Sequence, residues 1–200
     1  MKELLRYADD QKGQTMYYVI YTGSGLESRT EDYIRRMIPH ELYVKCFHPS
    51  RCIKKKFGGI WKDCYDVLIP GYTFLESNTI DAFYSEVRRN PKYLKILGKC
   101  FENQSLGFYE LNKDEEHWLK NLVGTNEEDE IKEDPVAEIS QIDFDENDEV
   151  IILSGPLKDL KGCIKKINLH KRIAEVEMDF MGRKTVIYMG IDWVVKAKKE

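Results

Sequence analysis

No apolar run in this sequence approaches the roughly 20 residues that a membrane-spanning helix requires; the longest are only a few residues. The opening segment MKELLRYADDQKGQTMYY has no uninterrupted apolar stretch of the kind that marks a secretory leader, so a cytoplasmic location is expected and no membrane association. Paired-cysteine knuckles are also missing. The five cysteines (Cys46, Cys52, Cys64, Cys100, Cys163) are odd in number, which favours free thiols over a disulfide framework. The nearest approach to a metal motif is Cys46-x-His48-x3-Cys52-x11-Cys64, but residues two apart on a strand share a face and diverge along it. Ordinary thiols and a loop histidine therefore explain these residues better than zinc. Gly23-Ser24-Gly25 lacks the third glycine and downstream acid of a dinucleotide loop and reads as a strand-to-helix turn. His40, His48, His117 and His170 have no sequence neighbours that form a recognisable triad, although spatial neighbours are invisible at this level. Glu115-Glu116 opens a helix, which explains the pair without catalysis. No enzyme, no cofactor and no metal site is expected.

What the sequence does contain is a strong charge asymmetry. From Thr125 to Glu149 twelve acidic residues stand against one lysine; from Val150 onward eleven Lys/Arg stand against six Asp/Glu. A self-repelling acidic stretch has little apolar surface to bury, so it is expected to be a tether. The expected organisation is an N-terminal extension at 1–15, a domain at 16–124, an acidic linker at 125–147 and a basic module at 148–200, with a monomeric chain.

Periodicity supplies the elements. MYYVIY (16–21) reads as a strand, and LESRTEDYIRRMI as a helix whose apolar face holds Leu26, Thr30, Tyr33, Ile34, Met37 and Ile38, stopped by Pro39. ELYVKCFHPS reads as a strand, and RCIKKKFGGIWKDCYDVLI as a hairpin turned by Gly58-Gly59. IPGYTFLES is a further strand, TIDAFYSEVRRNP a second amphipathic helix, KYLKILG a short strand or turn, and LNKDEEHWLKNLVG a short end helix. This is an α+β arrangement with helices on an antiparallel sheet. Beyond the acidic stretch, EVIILSG, GCIKKINL, RIAEVEMDF, RKTVIYM and IDWVVK are five short β-runs that suggest a small β-barrel.

Two basic surfaces stand out. In the hairpin, Lys45, Arg51, Lys54, Lys55, Lys56 and Lys62 surround Phe57 and Trp61, a pattern that suits a nucleic-acid strand whose phosphates meet lysines while bases stack on rings. A solvated hairpin with ordinary surface lysines is the competing explanation. In the C-terminal module, Lys158, Lys161, Lys165, Lys166, His170, Lys171 and Arg172 occupy the first two loops and the strand between, with Arg183 and Lys184 on a later loop. Lys165 and Lys166 are expected on opposite faces of that strand unless its end twists.

MYYVIYTGSGLESRTEDYI resembles the opening strand, glycine turn and first helix of the NusG N-terminal (NGN) domain. IPGYTFLES resembles that domain's Phe-Pro-Gly-Tyr strand, and DEVIILSGPLKDLKGCIKKI followed by MGRKTVIYM resembles a KOW domain, an SH3-like barrel. The resemblance covers about residues 16 to 196 and extends, within the NusG family, to antitermination paralogues of the LoaP group. It implies a transcription elongation or antitermination factor that binds RNA polymerase. The docking patch, which receives the clamp helices of the largest subunit, would comprise Tyr17, Ile69, Pro70, Gly71 and Tyr72, with Ile69 replacing the family's aromatic. The resemblance places the hairpin near non-template DNA, with Lys54, Lys55, Lys56 and Trp61 as contacts. It makes the C-terminal lysines an RNA surface for a nascent transcript folded as a hairpin, promoting terminator readthrough. The alternative is a general adaptor whose KOW module couples polymerase to a ribosomal protein or to Rho. The family's Phe-Gly-Arg turn appears here as Met181-Gly182-Arg183, a departure that weakens that alternative.

Overall fold

The computed structural model describes residues 15–89, 109–147 and 149–193, the side chain of Lys161 excepted. The expected extension (all but Thr15), KYLKILG, Cys100 and the end of the last β-run lie outside the described residues. The strands are β1 (Met16–Tyr21), β2 (Lys45–Phe47), β3 (Ser50–Phe57), β4 (Ile60–Val67), β5 (Tyr72–Ser77), β6 (Tyr109–Glu110), β7 (Val136–Ala137), β8 (Ser140–Phe144), β9 (Val150–Ser154), β10 (Ile164–Asn168), β11 (Ile173–Phe180) and β12 (Arg183–Trp193). The helices are α1 (Glu27–Met37), α2 (Ile80–Arg88) and α3 (Lys113–Val123). Among the described residues no helix is long and apolar enough to cross a membrane.

The chain divides into two units, 1–48 with 70–113 and 49–69 with 114–200. The first is the α+β unit. Its antiparallel sheet runs β2-β5-β1-β6, with β1 and β5 in register from Met16↔Ser77 to Tyr21↔Tyr72. Tyr18, Ile20, Cys46 and Leu75 on one sheet face pack with Ile34 and Ile38 from α1 and its end and with Phe83 and Val87 from α2. Period-two alternation in the strands and helical spacing in α1 and α2 generate that core directly. The helix face expected for α1 is narrower than its apolar spacing suggested: Leu26 and Met37 are exposed, 40% and 51% accessible.

The second unit is all-β apart from α3 and a 3₁₀ segment, Pro156–Cys163. Its five-stranded sheet runs β10-β11-β12-β8-β9 and a three-stranded sheet runs β4-β3-β7. Three expectations are corrected here. The runs RKTVIYM and IDWVVK are one strand, β12, and the fifth strand of the sheet is β8, from within the acidic stretch. That stretch is structured rather than a bare tether: Ile131, Ala137, Ser140 and Ile142 are buried, β7 pairs in parallel with β3 and β8 in parallel with β12. Its acids occupy the outward positions between these inward ones, so net charge misrepresented its capacity to pack. The β3–β4 hairpin, finally, belongs to the second unit. Gly190 explains the approach: it sits in mid-strand on β12, and a Cβ there would overlap the Cys52 carbonyl oxygen of β3. Only glycine lets the two backbones come this close.

Candidate functional site

The Pro-Gly-Tyr corner is built by backbone hydrogen bonds. Gly71 has φ +91°, its carbonyl accepts from the N–H groups of Thr22 (2.8 Å) and Gly23 (3.3 Å), and its own N–H donates to Glu27 Oε1 at 2.6 Å. Glu27 is buried in the first turn of α1. Positive φ at Gly71 is what turns the chain into β5 under the β1–α1 loop. Tyr17 and Ile69 are buried, 4% and 2% accessible, and Tyr72 nearly so at 8%. Pro70 is exposed, and so is Tyr21, whose ring meets that of Tyr72 edge-on at 5.5 Å. The apolar surface presented at this corner is therefore Tyr21, Leu26 and Pro70, of which sequence reasoning singled out only Pro70 as a site residue. The signal for Tyr21 was its register position opposite Tyr72, which needs the strand pairing to be known.

A second cluster escaped sequence reading. His48 Nδ1 lies 2.5 Å from Glu31 Oε2, and its Nε2 lies 3.2 Å from Ser28 Oγ. Glu31 also bridges Arg35 at 2.5 Å. The order Ser–His–acid is that of a triad, and the hydrogen bond His48 donates to Glu31 raises the His48 pKa against the opposing effect of burial. The cluster fixes the segment that follows β2. Ser28 and Glu31 share a helix face at i, i+3, the one pattern that could have pointed to it.

The hairpin cations are mostly spoken for. Lys54 Nζ lies 2.6 Å from Asp63 and 3.5 Å from Asp192, and Lys55 Nζ lies 2.9 Å from Asp66. Lys56 is exposed, its Nζ 5.8 Å from the Trp61 ring centroid. Trp61 is not an open stacking platform: the Arg172 guanidinium covers it at 4.3 Å and meets Trp193 at 4.5 Å. Arg172 is also bridged to Asp192 at 2.7 Å. Arg172 is thus held in a packed position between elements of this unit; the ring that is open is Phe57, 53% accessible. Arg51 lies over Tyr188 and donates to the Tyr188 carbonyl at 3.0 Å.

On the C-terminal sheet, Lys158 is exposed on the 3₁₀ segment that also carries the backbone of Lys161. Lys165 and Lys166 are both exposed, because β10 shifts register between Ile164 and Lys166. Such an irregularity breaks strict alternation, so the expectation of opposite faces does not hold along this strand. Lys165 bridges Glu177 at 3.0 Å and Lys184 bridges Asp179 at 2.8 Å. His170 and Lys171 are exposed in the β10–β11 loop and Arg183 at the β11–β12 turn. At that turn the Met181 N–H donates to Glu115 Oε1 at 2.7 Å, and Phe180 meets Trp118 edge-on at 5.7 Å. Glu115, buried in the first turn of α3, thus caps a turn 66 residues away.

Cys46 and Cys52 are buried, and burial pushes both thiols up. Among the described residues no group of three or more His, Cys, Asp or Glu is placed to hold a metal ion.

Comparisons with known proteins converge. The family described as "Transcription termination factor nusG" matches residues 15–114. The transcription termination/antitermination protein NusG of Rickettsia felis is 24% identical over 194 residues, covering 93% of this chain and 92% of that protein. That of Thermus thermophilus is 24% identical over 191 residues, covering 90% and 98%. The solved structure of Thermotoga maritima NusG aligns with a TM-score of 0.51 at 24% identity, covering 88% of this chain and 94% of that one, and shares the fold. The chain belongs to the NusG family of transcription termination and antitermination factors.

Proposed function

We propose that this NusG-family chain is an antitermination factor that docks on RNA polymerase through its first unit and holds nascent RNA on its second. NusG-family factors are not enzymes, so the action is binding: the docked unit bridges the clamp and disfavours the paused state, while the RNA contact raises the local concentration of the factor at the polymerase. The observation that carries the RNA reading is which cations are left over. Lys54, Lys55, Lys165, Lys184 and Arg172 are tied to carboxylates, whereas Lys158, Lys166 and Lys171 are exposed and form no ion pair among the described residues. Unneutralised lysines are what phosphates require.

The polymerase-facing surface is the corner of Tyr21, Leu26 and Pro70, supported from within by Tyr17, Gly71 and Tyr72; a tyrosine ring with its hydroxyl suits such an interface. Ile69, being buried, supports structure only. The LoaP-like character and a nucleic-acid contact of the hairpin belong to this same proposal, with Lys56 and Lys62 as its exposed cations that form no ion pair among the described residues.

The test uses the full chain on templates with and without a leader RNA hairpin. Readthrough should require that hairpin and should fall when Lys158→Ala and Lys166→Ala are combined, with the salt slope of RNA binding reduced by about 1.4 to 1.8 for two lost phosphate contacts. Leu26→Asp should abolish polymerase capture without altering RNA affinity. Readthrough indifferent to the hairpin, with RNA affinity unaltered in the lysine variant, overturns the RNA reading in favour of the adaptor.

A further inference from the structure

We infer that the β3–β4 hairpin and the β10–β11 loop form one continuous surface for a single-stranded segment of RNA, rather than two separate nucleic-acid sites. This rests on the reading of the C-terminal lysines as an RNA surface and extends it to a part of the chain more than 100 residues away in sequence.

The joint between the two segments is the Arg172 guanidinium, stacked between Trp61 of β4 and Trp193 of β12 and bridged to Asp192. Arg172 is held in place by its backbone too: its N–H donates to the Leu169 carbonyl at 3.2 Å and its carbonyl accepts from Ile191 at 3.0 Å. It adopts φ +55°, an unfavourable region for arginine that these contacts sustain. Lys54 adds a second link, reaching Asp192 at 3.5 Å, and Arg51 a third through Tyr188. The loop and the hairpin are therefore fixed to each other around one indole.

The available cations lie on both sides of that joint. Lys56 approaches the Trp61 ring from the hairpin, at 5.8 Å. Lys171 and His170 precede Arg172 directly, so the Lys171 Cα lies about 3.8 Å from that of Arg172. All three side chains are exposed, and neither lysine is ion-paired among the described residues. Lys62 is exposed as well and stands directly opposite Lys55 in the hairpin register, a like-charge pairing that disfavours the hairpin; both lie on the ribbon face of Phe57 and Ile60 rather than that of Lys56 and Trp61, so a strand touching Lys56 and Lys62 crosses the edge of the hairpin. Asp66 neutralises Lys55, which leaves Lys62 as the charge an external anion would relieve. Three of the nearby carboxylates are already engaged, Asp63 with Lys54, Asp66 with Lys55, and Asp192 with Arg172 and Lys54, while Glu138 acts on Cys52 and Tyr65 at the other end of the hairpin.

The tip supplies the second half of single-strand recognition. Phe57 and Ile60 face each other across the Gly58-Gly59 turn, 53% and 65% accessible. An exposed ring beside unneutralised lysines lets bases stack while the backbone follows the charges. A duplex offers no free base faces for that ring, so the hairpin tip favours the unpaired flank of a structured RNA.

The experiment measures binding by the full chain to two RNAs, a stem-loop alone and the same stem-loop with a ten-nucleotide single-stranded extension. Lys56→Ala combined with Lys62→Ala should weaken binding of the extended RNA and lower its salt slope by about 1.4, while leaving the bare stem-loop unaffected. Phe57→Ala should weaken the extended RNA with little change of slope. Lys158→Ala with Lys166→Ala should weaken both RNAs. If the hairpin variants bind the extended RNA as the parent does while the Lys158/Lys166 variant loses affinity, the shared surface is refuted and the C-terminal site stands. If neither set of variants alters binding, both fall. Repeating the extended probe with a DNA flank tests whether the strand is read as RNA; equal affinity would assign the hairpin arm to single strands of either kind. All substituted side chains are exposed, so unchanged circular dichroism checks that the fold is intact.

Discussion

His48 bonds to two side chains that lie 17 and 20 residues away in sequence, Glu31 and Ser28, and its ring is largely covered. The groups facing it are Glu31 and Glu27, which favour the imidazolium, and Arg35, which opposes it. The hydrogen bond to Glu31 wins over desolvation, so the folded-state pKa lies above that of the unfolded chain. A raised histidine pKa contributes stability that is fully present below the unfolded value, near 6.5, and disappears as pH rises through the folded value. His48→Gln should therefore destabilise the protein clearly in mildly acidic buffer and by less in mildly alkaline buffer. Denaturant melts of parent and variant at about pH 5.5 and about pH 8.5 test this; an equal stability gap at both would mean that the charge on His48 contributes nothing. This residue also marks a limit of sequence reading. The helix carrying Ser28 and Glu31 was legible, and so was the strand ending near His48, but only strand order brings them together. The Glu115 cap on the Met181 turn was hidden for the same reason: its acidity was explained by the helix start, and its partner was 66 residues away.

The β3–β4 hairpin was legible as an element, down to its Gly58-Gly59 turn, because alternation and turn chemistry are local. Its partner was not. Trp61 read as an exposed base-stacking ring, since nothing within reach in the sequence covers it; the cover comes from Arg172 on the β10–β11 loop. The acidic stretch shows the converse failure, in which a global property, net charge, overrode a local alternation that places Ser140 and Ile142 inward on β8. Because Arg172 works as a flat plate between two indoles, Arg172→Lys is not conservative: an ammonium keeps the charge near Asp192 but cannot stack on both rings. Loss of two partly desolvated cation–π contacts should cost about 1 to 3 kcal/mol and lower the thermal midpoint. Acrylamide quenching should rise, since Trp61 and Trp193 both lose cover. Unchanged quenching with a parent-like melt would show that the stack does not hold the hairpin.

Across the whole chain, the division of residues runs through the N-terminal half of the sequence: 49–69 lies in the same unit as 114–200. A chain ending at residue 124 would retain β1, β2, β5 and β6 with α1 and α2, but its hairpin would lose β7, β12, Arg172 and Trp193. Two strands without a third or a packed face are marginal in water. Cys52 and Ile53 of β3 are buried in the full chain, and in the short one they would lose the β7 and β12 side of their surroundings. Hydrogen exchange should therefore show β3 and β4 amides protected in the full chain and exchanging rapidly in residues 1–124, while β1 and β5 amides, paired over six residues, stay protected in both. Equal protection of the hairpin in the two lengths would make it self-sufficient. In that case the surface shared with the β10–β11 loop would not depend on the hairpin's packing against the C-terminal sheet. If protection is lost as expected, the nucleic-acid contact proposed for the hairpin is conditional on the C-terminal sheet. The proposed shared surface would then exist only where both segments are folded together.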